Sequence, residues 1–567
     1  MLLEAEEQLA QDVVMRYLDK VLSIVSFGFQ LLLTLGLASA LACSAGAAQS
    51  LSETEVSRIL AQGAAYAAKY SPQSVLAVVD REGFVLGVID VAKRAPLNSG
   101  ITAGAVSRAG TAAFLSSNEN AFTSRTAGYI IQQHFPPGVR NTSPGPLVGV
   151  GFSNLFFSDV NRFKRFTGAF LGGAPVTVSP GARAEAVPLT SLADSPGGVP
   201  LYKNGELVGG VGVTGDSSPS NLSPAAFLLG STPPESSTAG FKVAADTDEN
   251  VALAAQSGFR PVSSILATNV LLGGIRVPYV VGDVSNPPEP PKPLPLSAAG
   301  ALTPAAGAVV ADGTFTYTVR ASPPAYPYVV ATLGGVSGEI RQPIVADPLL
   351  GVSTIGARAA TRLTAAEVTG ILALAARQCN TIRAGIRLPV GTRAKVFISV
   401  VNNPNAPGVA PQVLGVFRVG EATMFSWDVC VQKARTALFF SNNKAAMSTR
   451  AVGYLAQRFF PPGLDGMAWG PLFGFQEAVS LKPSPTALYP GNSNLPNGMT
   501  IFPGGLPLYR NGELIGAIGV SGDGVDQDDM ICASGCANFL AAEAIRSDQS
   551  TYRGARLPYV KFPRDPQ

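Results

Sequence analysis

The chain is poor in the side chains from which most active sites are built. It holds one histidine, His134, and five cysteines among 567 residues. A Ser-His-Asp site has only His134 to assemble around, and no nucleophile elbow accompanies it. The "CASGC" run at Cys532 and Cys536 has no second Cys pair and no His beside it, so it is not a zinc pattern. Charged residues make up 14%, against about 25% in ordinary soluble domains. The formal net charge is +3, and no basic stripe with interleaved aromatics appears, which argues against nucleic acid as a partner. No Walker loop and no Rossmann fingerprint stands between a strand and a helix.

Other things are plentiful. Gly 61 and Pro 45 imply many turns and long loops between packed elements. At roughly 100–200 residues per domain, the length predicts two to four domains. The N-terminus carries an apolar run from Val21 to Leu37 that ends in small residues, the shape of a secretory signal. Glu4, Glu6, Glu7 and Asp12 make a poor n-region, whereas a start at Met15 in place of Met1 sets Arg16 and Lys20 where they are expected. Cys43 after "ASALA" resembles the lipobox of bacterial lipoproteins, although Ala40 stands where Leu is preferred. Lipidation of Cys43 and plain cleavage after Ala42 or near Ala48 both remain open. Either way an exported chain is expected, periplasmic or held at the outer membrane or cell surface by a lipid anchor. Cys379, Cys430, Cys532 and Cys536 are then disulfide candidates or reduced core thiols.

The strongest signal is internal repetition. "GGVPLYKNGELVGGVGVTGD" (Gly197 to Asp216) recurs as "GGLPLYRNGELIGAIGVSGD" (Gly504 to Asp523). Upstream, Arg125 meets Arg450 and Tyr129 meets Tyr454 at a constant offset of 325, through "PPG" to a shared "GPL". The offset falls to 307 at the glycine-rich stretch and to 280 at "PYV", so the first copy carries insertions of 18 and 27 residues. The first insertion includes "NLFFSDVNRFKRFTGAF", the second a Ser/Pro-rich run, and both are expected to be surface loops. The parse is an N-terminal extension and signal over 1–48, a first copy over 49–282, a Pro-rich linker with a β element over 283–361, and a second copy over 362–567.

Within each copy the spacing predicts α+β structure. Ser52 and Glu55 form a capping-box pattern that opens a helix. Strands "SVLAVVD" and "FVLGVID" follow, then helices around "AGTAAFLSS" and "SRTAGYIIQQ". The Asn-Gly inside the repeated stretch predicts a hairpin with a type I′ turn. "ENVALAAQSGF" supplies a last helix. Glycines such as Gly209, Gly210, Gly212, Gly516 and Gly519 sit in a strand, where they need a close neighbour; packed protein backbone is the default, a ligand the alternative.

"KARTALFF" (Lys433 to Phe440), the Gly-rich hairpin and the terminal helix resemble the GlcG/HbpS haem-binding family, to which the PduO C-terminal domain also belongs. The resemblance implies two tandem profilin-like α/β/α domains, each with a five-stranded antiparallel sheet between helices, packing as an internal pseudo-dimer. It implies haem or a related tetrapyrrole as ligand, for storage, sensing or scavenging, with a non-catalytic interaction module and a haem-degrading or redox enzyme as alternatives; no catalytic residue is assigned. Two departures stand out. The opening helices lack the histidine that haem-binding members use, and Gly110 stands where the second copy has Arg435. His134 is therefore the candidate iron ligand, with a surface imidazole at a helix C-terminus as the alternative, since Phe459 takes its place in the second copy. Arg125 and Arg450 are candidates to grip a haem propionate, and Tyr129 and Tyr454 to contact iron. The alternative makes each pair structural, with Arg bonded to a carboxylate.

Overall fold

The computed structural model describes residues 49–94, 99–132, 134–149, 192–215, 246–272, 274–281, 328–349, 362–385, 391–406, 408–475 and 494–561, with short pieces between 301 and 322. The leader with Cys43, most of both insertions, Asp216 and the Pro-rich run after Val281 lie outside the described residues. From Ser50 onward the chain falls in one compact unit, so the two halves share one body.

The first half opens with α1 (Glu53–Tyr70), whose Ser52 and Glu55 exchange both capping-box bonds. Strands β1 (Val75–Asp80) and β2 (Val85–Asp90) pair antiparallel. Then come α2 (Ser99–Leu115), α3 (Ser124–Ile130), the hairpin β3 (Gly198–Lys203) and β4 (Glu206–Thr214), and α4 (Thr247–Ala255). The turn is held by Asn204 and Gly205 at φ of 52° and 83°, as a type I′ turn requires. Apolar residues on both faces of the strands explain the layering. Val75, Ala77 and Val79 meet α2, while Leu76 and Val78 meet α1 and α4.

The second half repeats this order with α5 (Ala365–Cys379), β8 (Phe397–Asn402), β9 (Val413–Val419), α6 (Phe425–Phe439), α7 (Thr449–Leu455), β10 (Gly505–Arg510), β11 (Glu513–Ser521) and α8 (Val525–Gly535). The two hairpins pair alike: Gly198 faces Gly212 as Gly505 faces Gly519, and each register shifts before its tyrosine, Tyr202 or Tyr509.

The expectation of two five-stranded sheets needs correction. The first sheet runs β3-β4-β1-β2-β5, where β5 is only Ala301–Leu302. The second has six strands, β6-β7-β9-β8-β11-β10, because a hairpin of β6 (Val329–Leu333) and β7 (Val336–Gln342) pairs with β9. The cause is edge chemistry: β2 and β9 end their four-strand cores with unpaired backbone groups, which the connecting chain satisfies. It runs past the first half, where Arg320 N donates to Leu86 O at 2.9 Å and Ser322 N to Leu51 O at 2.8 Å. It then enters the second, where Asp347 N donates to Leu363 O at 2.8 Å. Among its described residues, the segment expected to be a linker with a β element supplies edge strands to both large sheets.

The halves meet along a mixed seam. Phe114 of α2 joins the cluster around buried Trp427, which stacks on Phe397. Around it lie ion pairs: Arg81 with Glu421, Lys395 with Glu119 at 2.9 Å, and Arg341 with Glu82 at 3.5 Å. Among the described residues no helix is long and apolar enough to cross a membrane.

Candidate functional site

Among the described residues, ion pairs in each half tie the last helix to the rest of its layer. Arg125 on α3 forks onto both carboxylate oxygens of Glu249 on α4, at 2.8 and 3.1 Å, with both side chains almost fully buried. Arg108 on α2 meets Asp248 at 2.9 Å. In the second half Arg450 reaches Asp529 at 2.7 Å and Asp526 at 2.6 Å, and Lys433 reaches Asp528 at 2.8 Å. Burial pushes the carboxyls of Glu249, Asp528 and Asp529 above their ordinary range, and the facing cations pull them back only in part. Asp248–Glu249 and Asp528–Asp529 stand 280 residues apart, the offset of "PYV", and that repeated acidic pair was the available sequence signal.

The guanidinium groups expected to grip a propionate are therefore turned to carboxylates of their own half. Of their tyrosine neighbours, Tyr129 packs inside and Tyr454 is half-buried. Tyr129 is 1% exposed and meets Phe135 edge-on at 6.0 Å, and Tyr454 meets Phe460 at 5.3 Å. The hairpin glycines face backbone rather than open space. A methyl group on Gly212 would overlap the Ala105 carbonyl of α2, and one on Gly519 would lie 2.7 Å from Ala434 N of α6. Cys379, Cys430, Cys532 and Cys536 are buried free thiols, so the structure has them as core residues and not as disulfides. Among the described residues, no three His, Cys, Asp or Glu side chains are grouped to hold a metal ion.

His134 is placed differently. It follows α3 in a loop that meets the corresponding loop of the second half. Asn141 N donates to Asp465 Oδ2 at 3.2 Å, and Asp465 N returns a bond to Asn141 Oδ1 at 3.0 Å. Between the loops opens a cleft of about 420 Å³, lined by His134 and Val148 from one side and by Arg458, Phe459, Phe473 and Ile501 from the other. The imidazole Nδ1 lies 3.2 Å from the Thr142 carbonyl and Nε2 3.5 Å from Asp465 Oδ2. The imidazole thus lies between two acceptors, the Thr142 carbonyl on Nδ1 and the Asp465 carboxylate on Nε2, and a carboxylate there is met better by an N–H than by a lone pair. A backbone carbonyl on one ring nitrogen is the usual way of orienting an imidazole whose other nitrogen binds a metal. The cleft gathers one oriented imidazole, the aromatic side chains of Phe459 and Phe473 and the exposed cation Arg458, side-chain types that suit an iron tetrapyrrole, with Asp465 standing on Nε2 where an iron would bind, whereas Arg125 and Arg450 are turned to carboxylates. Sequence reasoning missed Arg458, because its relevance depends on a loop that lies far away in the chain.

Residues 368–537 match the model of a family described as haem degrading protein HbpS-like. No curated protein matches the chain. Among solved structures, a PduOC:heme complex is similar at 20% identity over 32% of this chain and 96% of that one, with a TM-score of 0.22. The Klebsiella pneumoniae protein ORFY is similar at 22% identity over 36% of this chain and 96% of that one, with a TM-score of 0.21. Neither superposition carries weight at these scores.

Proposed function

Residues 368–537 make the second half of this chain a domain of the HbpS-like family, and on that premise we propose that the protein binds haem or a related tetrapyrrole in the cleft between its halves. The halves are read as two fused copies of one domain, bounded at 49–282 and 362–567, packed as an internal pseudo-dimer. His134 would hold the iron through Nε2 once Asp465 gives up its 3.5 Å contact with that atom, Phe459 and Phe473 would flank the ring, and Arg458 would meet a propionate. The group itself supplies a Lewis-acidic, redox-active iron with strong visible absorption. The residues would orient and partly desolvate it: the Thr142 carbonyl orients the imidazole, and Val148 and Ile501 supply apolar wall. The observation that carries the reading is that the chain's single imidazole lines this cleft, oriented by the Thr142 carbonyl, beside Phe459, Phe473 and Arg458.

Export belongs to the same proposal, with the apolar run before Cys43 as its support and storage, sensing or scavenging outside the cytoplasm as the role. The rival is an interaction module that kept the fold without the ligand. The internal engagement of Arg125 and Arg450 favours it, since a domain held by its own carboxylates needs no haem to be satisfied. Haemin titration separates the two. A saturable Soret shift is expected from the parent and its loss in His134→Ala. No saturable shift in the parent would leave the interaction module standing. A shift untouched by the substitution would remove His134 from the site.

A further inference from the structure

The two loops that meet across the seam expose apolar side chains that the fold does not bury. Val139 stands out from the first loop, and Leu464, Met467 and Trp469 from the second, with Leu464 50% and Trp469 64% exposed. Asn141 and Asp465 bond each other through backbone N and side-chain oxygen in both directions. They lie two residues from Val139 and one from Leu464, so the four side chains share one region of surface. None of the four lines the His134 cleft. Trp469 is braced against Phe473, with ring centroids 5.1 Å apart. Exposed apolar residues scattered singly are ordinary, whereas a cluster rimmed by polar groups marks an interaction surface.

The charge around the cluster has one sign. Arg140, its side chain 78% exposed, follows Val139 directly. Arg553 donates from Nη1 to the Trp469 carbonyl at 2.8 Å and is itself exposed. Between positions 134 and 149 and between 458 and 473 the sequence has a single acidic residue, Asp465. Its half-buried carboxylate already faces His134 and Arg140. An indole with aliphatic neighbours and arginines at its edge suits the boundary between lipid headgroups and acyl chains. A second copy of the chain would instead bring Arg140 and Arg553 against their own likenesses across a two-fold axis.

We propose that this face docks on an anionic phospholipid bilayer, with Val139, Leu464, Met467 and Trp469 entering the headgroup region and Arg140 and Arg553 meeting lipid phosphates. The docking is independent of haem.

The test is titration of the full chain, without haemin, with vesicles of phosphatidylglycerol and phosphatidylcholine, read by tryptophan emission. The chain has two tryptophans, and Trp427 is fully buried, so a change on binding reports Trp469. A saturable blue shift is expected, quenched by lipids brominated in their acyl chains, lost in high salt and absent with pure phosphatidylcholine. Trp469→Phe should abolish it. Met467→Glu should move its midpoint to about tenfold more lipid, and Arg140→Gln to about fivefold more. Vesicle binding without a shift would assign attachment to the apolar run from Val21 to Leu37 and overturn the proposal. A shift that survives in Trp469→Phe, keeps its midpoint in Met467→Glu, or is as large with pure phosphatidylcholine would overturn it too. A dimer that Met467→Glu dissociates, with no shift on lipid, would give the face to a second copy instead.

Discussion

Arg125 and Glu249 show how much of this molecule's organisation rests on single buried charges. Taking either ion out of water is costly, and the fork of two bonds is what makes the arrangement tolerable. Arg125→Ala would leave the Glu249 carboxylate buried with its largest partner gone, since only Val281 N, at 3.1 Å, remains among its recorded donors. A loss of ~3–5 kcal/mol is expected, measured by urea denaturation, and Arg125→Ala with Glu249→Leu should recover a good part of it. If the single variant were as stable as the parent, the pair would be no staple, and Arg125 would again be available to a ligand.

The hairpins were the most legible elements, because their information is local. Asn-Gly demands positive φ at both central positions, and the structure places Asn511 and Gly512 at 51° and 79°. Capping boxes were equally local, at Ser52 with Glu55 and at Thr364 with Glu367. The glycines beyond each turn have a longer-range reason, the close passage of a helix across the strand. Gly519→Ala should therefore cost ~1–3 kcal/mol or more by overpacking, because Cys430 and Ala434 on α6 oppose it with rigid backbone. A denaturation midpoint equal to that of the parent would show that helix and strand can part. The sixth strand was not legible, since "YVVATLGG" reads only as a hairpin until β9, far along the chain, provides an unpaired edge. The His134 cleft was hidden for the same reason: most of its lining lies in the second half of the chain.

At the scale of the whole molecule the seam decides behaviour. Glu421 sits between Arg81 and Arg418. Burial alone would raise its carboxyl, but the two guanidiniums outweigh that and hold it at about 2, below an ordinary value of 4.5. A depressed carboxyl stabilises the folded form fully above the ordinary value, and the contribution is lost as pH falls from 4.5 toward about 2. Glu421→Gln should therefore destabilise the chain at neutral pH and converge with the parent as pH approaches about 2, which thermal melts across that window would show. A difference that stayed constant with pH would mean that the glutamate acts by shape and not by charge. The seam also frames the central claim, because the two halves share one imidazole: His134 faces the cleft, and Phe459 stands at the matching position of the second half. The most direct measurement is the number of haemin molecules bound per chain at saturation, from Soret absorbance against protein concentration. One per chain is expected, falling to none in His134→Ala; two per chain, or one retained without His134, would contradict the account.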